Sequence, residues 1–98
     1  MRKYETMFVI RPDLDEEGTK AVIEKFVNLL KDQGAEIESV EEWGMRKLAY
    51  EVNKVREGYY VLIYFEAESG AVQELERIFR ISADIVRSIV VNQTELAG

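Results

Sequence analysis

Ninety-eight residues with no cysteine and no histidine suffice for one core without covalent staples, and they exclude disulfide frameworks, thiolate metal sites and histidine-based chemistry. Nineteen acids against thirteen bases leave a formal charge of -6, so a phosphate backbone repels this chain unless its charges are segregated or a companion supplies the attraction. The first apolar run, Met7 to Ile10, is only four residues long before Arg11 and Pro12, too short for a signal-peptide core or a membrane span; the expectation is a cytoplasmic protein with one domain over residues 1–98.

Tyr4, Phe8 and Ile10 alternate with Met7 and Val9, so the first strand is apolar on both faces and belongs in the middle of a sheet. Pro12 and Asp13 turn the chain. Either Asp13 with Glu16, or Asp15 alone, caps a helix that carries Val22, Ile23, Phe26, Leu29 and Leu30 at helical spacing and stops at Gly34. A long strand region follows from Ala35 to Val52, with Gly44 as the place for a bulge or kink. Asn53 to Gly58 reads as a polar turn. Beyond it Tyr59, Val61, Ile63 and Phe65 line one face and Tyr60, Leu62 and Tyr64 the other, a second central strand. Gly70 to Ile81 is a second helix, with Val72, Leu75, Ile78 and Phe79 on its buried stripe, and Ile85 to Gln93 is a closing β-branched strand. This order predicts an α+β, ferredoxin-like split βαββαβ sandwich: a four-stranded antiparallel sheet with two helices on one face, first and third strands central, second and last at the edges.

That architecture hosts many activities, so the side chains must decide. Without histidine or cysteine there is little for nucleophilic or general acid-base work near neutral pH, and the chain is expected not to be an enzyme and to hold no cofactor. Glu41 and Glu42, being adjacent on a strand, point to opposite faces and do not converge on a metal unless a bulge turns them. The Arg11-Pro12-Asp13-Leu14-Asp15 connection lacks the small residues whose amides cradle an anion, and it lacks the glycine of a sensor-domain ligand loop, so no small-molecule ligand is expected. Glu57-Gly58-Tyr59-Tyr60-Val61 approaches the aromatic strand motif of RNA-recognition domains, but Glu57 replaces its basic residue and Tyr60 its small one.

The stretch Glu41-Glu42-Trp43-Gly44-Met45-Arg46-Lys47-Leu48-Ala49-Tyr50 sets two acids and two bases around a tryptophan in a strand. Packing does not need them; such a block describes either a solvated edge whose charges only keep off its own kind or an edge that also recognises something else. With Met-Arg-Lys-Tyr-Glu at the start, Arg11-Pro12-Asp13-Leu14, Glu57-Gly58-Tyr59-Tyr60, and Ile85-Val86-Arg87 leading to Val90-Val91, it makes nearly the whole chain resemble the bacterial small-subunit ribosomal protein six family.

The resemblance implies a ferredoxin-like domain that binds the central domain of the small-subunit ribosomal RNA together with ribosomal protein eighteen. It assigns Glu41, Glu42, Arg46 and Lys47 to that protein partner, with Trp43 either an anchor of the contact or a core residue. For RNA it points to Arg2, Lys3 and Arg87, which sit on strands expected to be neighbours and so to form one basic patch. Arg77 and Arg80 on the second helix either extend that patch or pair with Glu74 and Glu76. Many relatives carry extra residues after the last strand, whereas this chain ends at Gln93-Thr94-Glu95-Leu96-Ala97-Gly98, which puts in doubt any contact a longer tail makes.

Overall fold

A computed structural model describes residues 1–52 and 54–93; the predicted turn at Asn53 and the tail from Thr94 onward lie outside the described residues. The elements run β1 (Arg2–Ile10), α1 (Glu16–Asp32), β2 (Glu36–Val52), β3 (Val55–Ala67), α2 (Ser69–Ile81) and β4 (Ile85–Asn92). The four strands form one antiparallel sheet in the order β2-β3-β1-β4, so the two strands that are apolar on both faces are indeed the central pair.

Both helices lie against the same face of the sheet. Phe8 of β1, Phe26 of α1 and Phe79 of α2 meet with ring centroids 4.6 to 5.3 Å apart, a triangle that closes only if the helices share a side. Around it Tyr4, Ile10, Ile23, Leu30, Val61, Ile63, Phe65 and Leu75 complete a buried core. Burying aromatic rings of this size contributes about 3 kcal/mol or more each, as truncation to alanine measures it. Thr6 is the polar exception on that face, and its buried hydroxyl donates to the Ile89 carbonyl at 2.8 Å, which satisfies it and ties β4 to β1.

Local chemistry explains the boundaries. Of the two capping arrangements open in the sequence, Asp15 prevails: its carboxylate accepts the Gly18 amide at 2.7 Å, the N3 position of α1. At the other end Gly34 adopts φ +83°, the Ala35 amide donates to Leu30 and the Gly34 amide to Lys31, the paired bonds of a Schellman stop. Gly44 at φ +84° coincides with a register slip between Glu42 and Gly44, the predicted bulge.

The polar turn predicted from Asn53 to Gly58 is corrected. Val55 already pairs with Val52, Glu57 with Lys47 and Gly58 with Arg46, so β3 begins at Val55 and the two strands form an extended arm. Exposed on both sides, that arm needs no apolar alternation to be a strand, and its polarity mimicked a loop.

Gly58 is required by contact rather than by conformation. A Cβ there would meet Val9 Cγ1 at 2.2 Å and the Ile10 carbonyl oxygen at 3.0 Å, both in the neighbouring central strand. Gly58→Ala is therefore expected to lower stability by about 1–3 kcal/mol, measured as a lower denaturant midpoint with an unchanged slope.

Candidate functional site

Directly opposed residues in an antiparallel sheet share a face, so the register sorts the predicted site residues. Val61 and Ile63 belong to the helix-covered core, and Glu42 and Val40 lie opposite them. Glu41 lies opposite Leu62 and Gly44 opposite Tyr60, on the face that no helix covers. The two adjacent acids thus part, as the alternation of a strand requires.

On the open face, at the free edge of β2, Glu41, Trp43 and Arg46 make one cluster. The Trp43 indole N–H donates to Glu41 Oε1 at 3.2 Å, and the Arg46 guanidinium sits over the Trp43 ring, 5.4 Å from a centroid. Trp43 is 45 % exposed, so it is not a core residue. The bulge at Gly44 makes the cluster possible: it inserts an extra residue between Glu42 and Gly44 and so returns Arg46 to the side of Glu41.

Glu42 and Lys47 stand apart from that cluster. Glu42 Oε1 accepts the Tyr59 hydroxyl at 2.9 Å on the helix side, beside Met45, Leu14 and Thr19, and Lys47 lies opposite Glu57. The five residues predicted for a protein partner therefore occupy both sides of one edge strand. On the open face Tyr64 also feels this acid border: desolvation first, then the charges of Glu41 and Glu5, push its hydroxyl above the ordinary value of 10.0.

The predicted basic patch is corrected by the register. Arg87 lies opposite Val9, near the end of β1, whereas Arg2 and Lys3 are at its beginning, roughly 20 Å away along the strand. Neighbouring strands were right; antiparallel direction carried the bases to opposite ends. Lys3 lies opposite Glu66, itself opposite Glu36, in a row rich in acid, and Arg2 lies opposite Ala67 on the other face. Arg80 shares a hollow with Ser88, Ile89 and Val90 on the edge strand β4, which brings it closer to Arg87 than Arg2 or Lys3 are. Arg77 is held by Glu74 through Nε at 3.1 Å and through its terminal nitrogen, the helical pairing the spacing allowed.

Two surface residues escaped the predicted site. Tyr50 is 62 % exposed and has the Arg87 guanidinium over its ring, 5.5 Å from the centroid, a contact between elements far apart in sequence that no motif announces. Ile89, 45 % exposed, lies opposite Met7 on the open face, where Leu62 and the tyrosines 60 and 64 extend an apolar stripe between the charged borders. Among the described residues no group of three or more potential metal ligands gathers, and no helix is long and apolar enough to cross a membrane.

The Tyr59–Glu42 bond has a measurable signature. The hydrogen bond to Glu42 first, then desolvation and the Glu42 charge, raise the Tyr59 hydroxyl above its ordinary 10.0. Because the folded value exceeds the unfolded one, the stabilisation is complete below pH 10.0 and is lost as pH rises through the raised value. Ultraviolet titration of Glu42→Gln should show one tyrosine ionising earlier than in the wild type; an unchanged profile would mean the bond does not govern Tyr59.

Comparison with known proteins places these features. The model of the family Ribosomal protein S6 matches residues 3–92. The small ribosomal subunit protein bS6 of Clostridium novyi is 55 % identical over 92 residues, 94 % of this chain and 97 % of that one. Its namesake in Moorella thermoacetica is 50 % identical over 98 residues, the whole of both chains. A crystal structure of 30S ribosomal protein S6 from Thermotoga maritima superposes with a TM-score of 0.91 at 36 % identity, covering 98 % of this chain and 91 % of that one. With family sequence, fold and length all shared, the chain belongs to the ribosomal protein S6 family, structural and non-enzymatic components of the bacterial small ribosomal subunit.

Proposed function

We propose that this chain, a single ferredoxin-like domain over residues 1–98, pairs with ribosomal protein eighteen and that the pair binds the central domain of the small-subunit ribosomal RNA. As a bacterial small-subunit ribosomal protein it is cytoplasmic and ribosome-associated; the proposal concerns how it gets there. The observation that carries it is the Glu41–Trp43–Arg46 cluster on the unpaired edge of β2. An exposed aromatic bordered by both charges, on a strand with free backbone donors and acceptors, is what a protein partner engages through strand addition and a central anchor. Glu42 and Lys47, both on the helix side of the same edge, then set the partner's register through charge. A basic companion also answers the charge problem, since an acidic chain of -6 gains from it the attraction to phosphate that it lacks overall.

In this reading Arg87, with Arg80 near it, meets RNA phosphate from the β4 side, and Arg2 and Lys3 make a separate contact at the far end of β1. The complex is held by phosphate contacts and shape more than by base reading. A titration of a central-domain RNA fragment at near-physiological salt should give tight binding with ribosomal protein eighteen present and little without it. Equal affinity alone would make the chain an independent RNA binder.

Reversal of Arg46 and Lys47 to Glu is expected to weaken binding to ribosomal protein eighteen at least tenfold, about 1.4 kcal/mol, while the thermal midpoint moves little; unchanged affinity would remove the β2 edge from the partner contact. Arg2→Ala and Arg87→Ala should each lower RNA affinity of the pair and shallow its salt dependence. Because the two sites are roughly 20 Å apart, their losses should add in free energy in the double variant. An unaltered slope would return both arginines to ordinary surface.

A further inference from the structure

Between Arg46 and Glu57 the arm of β2 and β3 carries four bases, Arg46, Lys47, Lys54 and Arg56, against two acids, Glu51 and Glu57. That is a local excess of positive charge in a chain whose total is -6. Among the described residues, none of the four bases is held in an ion pair. Within the arm the ladder slips. Lys47 lies opposite Glu57 and Val52 opposite Val55, so the four residues from Leu48 to Glu51 face Arg56 alone. The surplus bows out of the ladder and puts Tyr50 at the surface, where Arg87 lies over its ring.

Nothing in the core explains this bow, since no residue from Arg46 to Val52 is buried. It forgoes ladder hydrogen bonds and exposes an aromatic ring, both of which cost stability. What it creates is a hollow of about 790 Å³ bordered by Pro12, Lys47, Tyr50, Lys54, Arg56 and Glu57. A ring steadied by a guanidinium, next to an open hollow with bases on its border, combines a stacking platform with phosphate contacts, the two elements of single-strand recognition.

We propose that the arm is an RNA contact in its own right: an unpaired nucleotide stacks on Tyr50, on the ring face away from Arg87, and Lys54 and Arg56 meet the phosphates beside it. This rests on the reading that the chain binds ribosomal RNA with its partner, and it adds base stacking, at a named place, to a complex otherwise held by phosphate and shape. It also gives Arg87 a second task, holding the ring.

The test uses the full chain with ribosomal protein eighteen and the central-domain RNA fragment. Tyr50→Leu should weaken RNA affinity about tenfold with an unchanged salt slope, because no charge is lost, while Tyr50→Phe keeps nearly full affinity. Replacing Lys54 and Arg56 with Gln should instead shallow the slope by about 1.4, roughly 0.7 for each phosphate contact to a single strand. Tyr50 is exposed, so each variant should keep the wild-type thermal midpoint. RNA affinity of Tyr50→Leu within about twofold of wild type would overturn the stacking assignment while leaving RNA binding itself intact. Loss of affinity of Tyr50→Leu for ribosomal protein eighteen without RNA would also overturn it, by giving the arm to the protein. Failure of the wild-type pair to hold the fragment would overturn the RNA reading as a whole.

Discussion

Everything on the surface of this molecule follows from the closure of one side of its sheet by the Phe8, Phe26 and Phe79 contact. With both helices committed to that side, the other face and both edge strands have no cover from secondary structure. A sheet in this state is prone to pair with its own kind. The chain answers on β2 with charges of both signs, a glycine bulge and a tryptophan whose polar atom and ring are both engaged. Devices that discourage a second copy also define a partner, because any strand that docks at a charged edge desolvates those charges, and only one that carries opposed charges compensates them.

The open face is less exposed than its lack of helices implies. Val9 is fully buried and Leu62 nearly so, although both sit on that face. Gly58 explains part of this: without a side chain it lets Val9 press against the β3 backbone. Tyr60, Tyr64 and Met7 flank the same row and fill the surface between the strands. The central strands therefore read as apolar on both faces for a physical reason that needs no second layer.

The order of strands was legible because two-sided apolar patterns demand a central place, and Gly34 and Gly44 were legible because each occupies a positive φ. Register was not legible. Arg2, Lys3 and Arg87 sit on adjacent strands, as expected, yet antiparallel pairing sets them at opposite ends, and only the actual partners of each residue show it. Trp43 was ambiguous for a related reason: a strand offers an aromatic two faces, and which is covered depends on where the helices dock. The β3 half of the arm, Val55 to Glu57, was missed as strand because periodicity reports burial, and that stretch has almost none. The Tyr50–Arg87 contact joins residues thirty-seven apart in sequence, beyond any local pattern.

Net charge says less about this surface than the placement of its charges. At physiological salt the screening length is about 8 Å, so an acid roughly 20 Å along the sheet acts on a phosphate with about a tenth of its unscreened potential. The acidic row of Glu36 and Glu66 belongs to the half of the sheet near the start of β1, while Arg46, Lys47, Lys54, Arg56 and Arg87 belong to the other half. A polyanion approaching the arm therefore meets the local excess of bases rather than the total of -6. Segregation along the strands, which composition cannot report, leaves a locally basic surface on a chain that is acidic overall.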